Sequence, residues 1–374
     1  MLGVTRAWRV AAGAAVVLAI TGAGAAAGTR AEPAAWHVVR QVDSGVFGGF
    51  TAVTAAGKTG GWAFDGYSRP TAWQRSGTTW RQVAFPGQSG EQVVAAEATS
   101  AADVWAFTAN GTQSRALRWN GRGWTVVKVF GQQVGGAVVL AADDVWAFGQ
   151  QPFGSGRGLA AWHYNGRTWS QAASGDGLEG GSGLSASDVW AFAGTDVARW
   201  NGRTWSRTSV ARLLPAKSLL NDPAVVGIDA QSPSSVYTLG SGNAEDEGGP
   251  LVILHYDGRT WTRVAEGNWG IGTSPIQQVS SDGRGGLWIP MPGFDGRLSY
   301  LLHYSGGHVT QAALPISAHK VDVQDVALVP GTTELLGAGF SHAYDNPGVD
   351  VVAVILAYGS KARLAEWDTT ARSG

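Results

Sequence analysis

A short aromatic phrase that returns at near-constant spacing constrains this chain more than any other feature. It reads Gly60-Gly-Trp-Ala-Phe64, Asp103-Val-Trp-Ala-Phe107, Asp144-Val-Trp-Ala-Phe148 and Asp188-Val-Trp-Ala-Phe192. It then loosens to Ser235-Val-Tyr-Thr-Leu239, Gly286-Leu-Trp-Ile-Pro290 and Glu334-Leu-Leu-Gly-Ala338. The marker residues Trp62, Trp105, Trp146, Trp190, Tyr237, Trp288 and Leu336 are 43, 41, 44, 47, 51 and 48 residues apart. A second phrase follows each copy: Trp119-Asn-Gly-Arg-Gly-Trp124, Tyr164-Asn-Gly-Arg-Thr-Trp169, Trp200-Asn-Gly-Arg-Thr-Trp205 and Tyr256-Asp-Gly-Arg-Thr-Trp261. Weaker forms are Arg75-Ser-Gly-Thr-Thr-Trp80 and Tyr304-Ser-Gly-Gly-His308, and the last copy keeps only Tyr358-Gly-Ser and Trp367. Self-similarity at this period means one supersecondary unit stacked many times, none able to bury its apolar face alone.

Local chemistry says what the unit is. Asn-Gly or Asp-Gly between apolar runs is a hairpin signal, because both residues tolerate positive φ. The stretch Asp-Val-Trp-Ala-Phe is β-branched and aromatic and suits a strand. Asp103, Asp144 and Asp188 follow small residues, where a short polar side chain is expected to bond the turn's own backbone. A further strand precedes each copy, as at Val93–Ala96, Ala137–Leu140 and Val225–Ile228. Each repeat therefore reads as four short antiparallel strands. Seven such repeats predict an all-β fold, a seven-bladed β-propeller of four-stranded antiparallel blades. Six blades is the alternative if the weak seventh copy is something else. The recurring Trp62, Trp105, Trp146, Trp190, Trp288, Trp124, Trp169, Trp205 and Trp261 are expected as structural core between neighbouring sheets. Closure has two candidates. Trp36-His-Val-Val-Arg-Gln-Val42 resembles a fourth strand such as Trp124–Val129, and Lys361–Trp367 is the competing choice.

Composition narrows the setting. A net charge of −1 supplies no field to draw the chain to nucleic acid or an anionic membrane. The 55 Gly suit many tight turns, and the 18 Trp need many places to pack. With no Cys there is no disulfide, thiolate metal site or acylated lipoprotein anchor. At the N-terminus, Arg6 and Arg9 precede an uncharged run, Val10–Gly28, with Ala-x-Ala sites ending near Ala25 or Ala27. This is the pattern of a secretory signal peptide; a retained anchor is the alternative. The expected organisation is a signal peptide at 1–27, a linker at 28–35, one propeller at 36–367 and a tail at 368–374, secreted or associated with the cell envelope. No membrane association is expected once the leader is cleaved, and a monomer is expected.

The two phrases together resemble a repeat of exported actinobacterial propellers, close to "S-x-x-D-V-W-A-V-G … H-W-[ND]-G-T-x-W". The resemblance covers roughly Gly49 to Trp367 and is strongest over Ala102–Trp261. It implies the fold and little about activity, since those proteins mostly have no assigned one. Asp257-Gly-Arg-Thr-Trp261 also resembles the Asp-box of sialidase-like propellers, but lacks its Ser and is one residue shorter in spacing. Galactose-oxidase-like chemistry needs a Cys that this chain does not have.

Candidate functional residues are those that do not repeat. Arg122, Arg167, Arg203 and Arg259 recur at turns that a ring would hold apart, so they read as solvated. The second-to-third-strand loops vary in length, and insertions gathered on one face mark a binding face. The ligand-binding candidates on that face are Tyr67, Arg69, Arg157, Asp196, Trp269, Asp295, Arg297, His342, Tyr344 and Asp345. This mixture suits a glycan or protein ligand. Glu245-Asp-Glu247 lacks the alternating spacing of a Ca²⁺ loop, and no metal, cofactor or catalytic group is assigned. Three functions are open: a non-enzymatic exported binding module, an extracellular carbohydrate-active enzyme of sialidase-like or lyase-like type, and a structural cell-envelope protein. An enzyme predicts a deep axial pocket with convergent charged groups and a shifted pKa.

Overall fold

The repeated phrases dictate hairpins, and the computed structural model pairs them into seven four-stranded antiparallel sheets. It describes residues 33–43, 48–66, 69–149, 160–172, 177–216, 223–242, 250–267, 279–291, 300–315, 319–343 and 351–370. The first strand is β1 (Ala35–Asp43). Blade 1 holds β2 (Phe50–Ala55), β3 (Gly60–Asp65), β4 (Thr71–Ser76) and β5 (Thr79–Val83). Blade 2 holds β6 (Gln92–Ser100), β7 (Asp103–Ala109), β8 (Ser114–Trp119) and β9 (Trp124–Phe130). Blade 3 holds β10 (Val134–Ala141), β11 (Asp144–Gly149), β12 (Trp162–Tyr164) and β13 (Trp169–Gln171). Blade 4 holds β14 (Gly180–Ser185), β15 (Asp188–Ala193), β16 (Asp196–Trp200) and β17 (Trp205–Ser209). Blade 5 holds β18 (Ala224–Ser232), β19 (Ser235–Ser241), β20 (Leu251–Tyr256) and β21 (Trp261–Gly267). Blade 6 holds β22 (Ser280–Ser281), β23 (Leu287–Met291), β24 (Tyr300–Ser305) and β25 (His308–Gln311). Blade 7 holds β26 (His319–Leu328), β27 (Leu335–Ala343) and β28 (Val352–Gly359), and α1 (Lys361–Thr370) follows it.

The first strands β2, β6, β10, β14, β18, β22 and β26 contact one another in succession and return to β2, so the ring is closed. The fold is the seven-bladed propeller, and the six-bladed alternative falls. Closure uses the N-terminal candidate. β1 pairs with β28 as the outer strand of blade 7, with Trp36 opposite Tyr358. That register repeats Trp124 opposite Trp119, Trp205 opposite Trp200 and Trp261 opposite Tyr256. The rival segment at Lys361–Trp367 is helical. Pro33–Gly374 forms one compact unit.

The blades are held by the recurring aromatics. In blades 1 to 4 and blade 6 the second-strand ring wedges against the third- and fourth-strand rings of the next blade, and among the described rings there Tyr237 of blade 5 meets the third-strand Tyr304 alone. Trp62 meets Trp119 at 4.9 Å and Trp124 at 5.1 Å; Trp146 meets Trp200 at 5.2 Å and Trp205 at 5.3 Å. At closure, Trp288 meets Tyr358 at 5.0 Å and Trp36 at 5.3 Å. Trp62, Trp105, Trp146, Trp190, Trp288 and Trp124 are buried, while Trp169, Trp205 and Trp261 are half-buried.

In blades 2 to 6 the other face of the second-strand ring carries a polar lid from the third strand. Arg118 lies 5.4 Å from the Trp105 centroid and Arg199 lies 4.8 Å from that of Trp190. His163 stacks on Trp146 at 4.3 Å, His255 on Tyr237 at 4.4 Å and His303 on Trp288 at 4.2 Å. Each lid is tied down. Arg118 donates to Asp103 at 2.8 Å and Arg199 to Asp188 at 2.8 Å; His163 bonds Asp144 at 2.8 Å and His303 bonds Asp282 at 2.9 Å. This corrects the expectation for Asp103, Asp144 and Asp188: their carboxylates orient a cation or imidazole on the neighbouring strand and do not cap their own turn.

The Asn-Gly turns also close differently from a two-residue loop. Four residues, Asn120–Gly123, separate the paired Trp119 and Trp124. The Asn120 side chain accepts from the N–H groups of Arg122 at 3.0 Å and Gly123 at 3.1 Å, and Gly121 sits at φ 88°. Asn165, Asn201 and Asp257 do the same in blades 3, 4 and 5. Arg122, Arg167, Arg203 and Arg259 are exposed at these turns.

Candidate functional site

Alternating strand direction puts the two-to-three loops and the interblade connections at one end of the ring, and the uniform Asn-Gly-Arg turns at the other. On the loop end, Arg69 is exposed and donates to the Gly87 carbonyl at 2.9 Å. It lines a shallow outer cavity of about 460 Å³ with Pro70 and Phe85. Asp196 is half-buried at the start of β16, opposite Ala193. The structure does not join these two: they belong to blades 1 and 4, with two blades between. His342 falls within β27, where its backbone pairs with Lys320. Tyr67, Arg157, Trp269, Asp295, Arg297, Tyr344 and Asp345 lie outside the described residues, as do Glu245-Asp-Glu247 and the leader.

A feature the sequence reading missed lies on the axis. The first strands surround a cavity of about 350 Å³ whose lining includes Glu97, Glu179, Ser182, Asp229 and Ser280. Its walls come close because the first strands are small-residue rich. A Cβ on Gly136 would lie 3.2 Å from Gly180 Cα, and one on Gly183 would lie 2.6 Å from Val138. β10 and β14 can approach only with Gly at these places. Register irregularities in the first strands of blades 1 to 5 and blade 7 raise their twist around the axis.

The polar groups of this wall follow a rule. The first-strand residue opposite each second-strand marker is Thr54, Glu97, Val138, Ser182, Asp229, Ser280 or Ala327. Four of these reach the next blade's first strand. Val139 N–H donates to Glu97 at 2.7 Å, Ala230 N–H to Ser182 at 3.0 Å and Leu328 N–H to Ser280 at 3.2 Å. Asp229 accepts from the Ser281 N–H. Asp325, displaced by a bulge, accepts from Val53 N–H at 2.8 Å and ties blade 7 to blade 1. These are ring fasteners, and serine and carboxyl groups serve interchangeably.

Their electrostatics are unusual for acids. Burial pushes Glu97 up to about 8; the Val139 N–H opposes the rise and the charge of Asp325 adds to it. Burial likewise takes Asp325 to about 7 against the N–H groups of Val53 and Val326. Asp229 is pushed up to about 6 by burial, opposed by Gln231 and the Ser281 N–H and reinforced by Asp282. Burial also raises Glu179. Values near neutrality suit proton transfer, but a general acid or base must come within hydrogen-bond reach of a substrate. Asp325 is 2% exposed and Glu97 is bonded to a neighbouring blade, so their geometry serves the wall first. Among the described residues, no three His, Asp or Glu side chains gather in a group that could hold a metal ion.

A second missed group is the buried pair Glu91–Arg115. Both Arg115 Nε and a terminal nitrogen donate to Glu91, which also takes the Thr108 hydroxyl at 3.3 Å and the Gln88 N–H at 2.9 Å. The pair fastens the connection from blade 1 to blade 2, and no repeat signal marks it.

No family model and no curated protein matches the sequence. Among solved structures, the chain is similar to YCF48 bound to D1 peptide, at 11% identity and TM-score 0.53 over 88% of this chain and 97% of that one. It is similar to YCF48 from Cyanidioschyzon merolae at 12% identity and TM-score 0.55, over 88% and 99% of the two chains. It is also similar to the WD40 repeats of RRP9 at 10% identity and TM-score 0.57, over 88% and 99%. At such identities the likeness is one of fold: seven sheets around an axis, as in WD40 propellers.

Proposed function

We propose that the chain is an exported, non-enzymatic binding module that holds a glycan or protein ligand on the face of its two-to-three loops. The observation that carries this is the contrast between the two ends of the ring. Four turns at one end share a single geometry, with the N–H of Asn120, Asn165, Asn201 and Asp257 each donating three residues ahead at 3.3 Å. At the other end, Ala193 and Asp196 close a loop of two residues, whereas Gly242 bonds Pro250 at 3.0 Å across a neck that holds seven. First-to-second-strand turns at the Asn-Gly-Arg end also vary, from two residues in blade 2 to six in blade 7, but the longest insertions gather at the two-to-three end, which is where a recognition surface is expected. A related fold recorded with a bound peptide, YCF48, supports a peptide as one ligand class. Export rests on the leader at 1–27 and on the resemblance to exported actinobacterial repeat proteins.

The test is a glycan array and a pull-down on the secreted protein, followed by affinity measurement on the ligand identified. Trp269→Ala and Tyr344→Ala should each weaken that ligand at least tenfold, with the melting temperature unchanged. A ligand indifferent to substitutions in every loop of this end would refute the assignment. The competing reading is an enzyme working in the axial cavity, which the near-neutral carboxyl groups favour. Release of sugar from a polysaccharide panel, abolished in Glu97→Gln, would replace our reading with that one.

A further inference from the structure

The strands that carry Glu97 and Asp325, β6 and β26, flank blade 1 at the axis. Asp325 on β26 ties the last blade to the first through Val53 N–H, and Glu97 on β6 ties blade 2 to blade 3 through Val139 N–H. Between them runs β2, Phe-Thr-Ala-Val-Thr-Ala, and beyond Glu97 runs β10; neither strand carries an ionisable side chain. Glu179 and Asp229 line the same axial cavity as Glu97, and burial raises both as well. Asp103 on β7 is held by Arg118 at 2.8 Å and Thr99 at 2.6 Å, and Asp65 ends β3. Around Asp325, β22 and β23 carry no ionisable residue, and β24 carries Tyr300, His303 and Tyr304, of which His303 is held by Asp282. β26 itself adds His319, Lys320 and Asp322, and β27 adds His342. The Asp325 charge adds to the rise at Glu97, and β2, which runs between their strands, carries no cation.

Fastening does not need a charge here. Ser182 and Ser280 hold the same position in blades 4 and 6 and accept the same kind of N–H without one. A protonated carboxyl accepts through its carbonyl oxygen in the same way. Glu97 is therefore a fastener that can also acquire charge, and Asp325 is a second one at the ring closure.

We propose that Glu97 and Asp325 form a proton-linked clasp: protonated, they hold neighbouring blades together, and ionised, each leaves an unneutralised charge in the buried wall and loosens the first strands around the axial cavity. Both groups titrate above their ordinary values, at about 8 and about 7. The folded ring then binds more protons than the unfolded chain from about pH 4 upward. Stability fully present below that pH is lost as pH rises through 7 and 8. Asp229, at about 6, contributes the lower part of the same window.

Thermal unfolding and amide hydrogen exchange of the full chain from pH 5 to 9 test the clasp. The melting temperature should fall by about 2 °C or more across that range. Protection of the Val53 and Val139 amides, corrected for the intrinsic rate, should fall about tenfold. The double variant Glu97→Gln with Asp325→Asn should match the wild type at pH 5 and lose at least half of both changes. Glu97→Ser, which copies Ser182 and Ser280, gives the same reading from one site if the double variant fails to fold. Equal pH slopes in the wild type and Glu97→Ser, or a wild type with no slope, would overturn the proposal.

Discussion

A Cβ on Gly181 would lie 2.6 Å from both the Phe148 ring and the Trp190 carbonyl oxygen. Neither can give way cheaply, because one is buried between blades and the other belongs to the ladder of β15. Gly181→Ala should therefore lower stability by about 1–3 kcal/mol through overpacking. Gly123, in the exposed turn of blade 2, meets nothing within 4 Å, and Gly123→Ala should stay within about 0.5 kcal/mol of wild type. Urea midpoints at constant slope compare the two directly. Both residues sit in repeats and both are glycine, yet only one stands where two strands crowd an axis. Glu97 makes the same point for polar residues. It sits opposite Trp105, as Ser182 sits opposite Trp190. That fixed placement was the available signal, but the N–H it serves lies 42 residues ahead, in another blade.

At the scale of elements, the hairpins are local and their sequence signals are strong. Apolar runs flanking Asn-Gly-Arg predict the pairing of β8 with β9 correctly, and only the loop between them closes by another route. β1 is different. Its tie to blade 7 includes His37 to the Gly359 carbonyl at 3.1 Å, a separation of 322 residues. Loop-closure entropy for such a contact is repaid only when every blade between is formed. Trp36→Ala removes the ring that seals Trp288 and Tyr358 and should cost about 3–5 kcal/mol. Loss of β1 would also expose the edge of β28, so aggregation should accompany unfolding in light scattering. A Trp36→Ala protein as stable as wild type would show that closure rests elsewhere.

The whole molecule is a closed chain of nearest-neighbour contacts, and this sets how damage should combine. Trp146 and Trp288 belong to blades 3 and 6 and share no contact among the described rings. Trp146→Leu and Trp288→Leu should therefore add to within about 0.5 kcal/mol. Trp36 and Trp288 meet edge-on at 5.3 Å, so Trp36→Ala with Trp288→Leu should show a coupling of about 0.5–1.5 kcal/mol. A double-mutant cycle by urea unfolding separates these outcomes. The residues expected to form the recognition face were chosen because they break the repeat; of these, Arg69 and Asp196 are placed in full, in different blades. The axial fasteners were not chosen, because they lie within the repeat and look like ordinary strand residues.

The sequence by itself determined the repeating unit, its four strands and the aromatics between units, because each depends on contacts within a blade or on a pattern copied blade after blade. Only the tertiary structure decided that seven units close, that β1 and not the C-terminal segment completes the last, and that Glu97, Asp229 and Asp325 face a neighbour's backbone beside a shared cavity. These depend on where two distant strands meet, and a strand's local chemistry carries no record of the partner that geometry brings beside it.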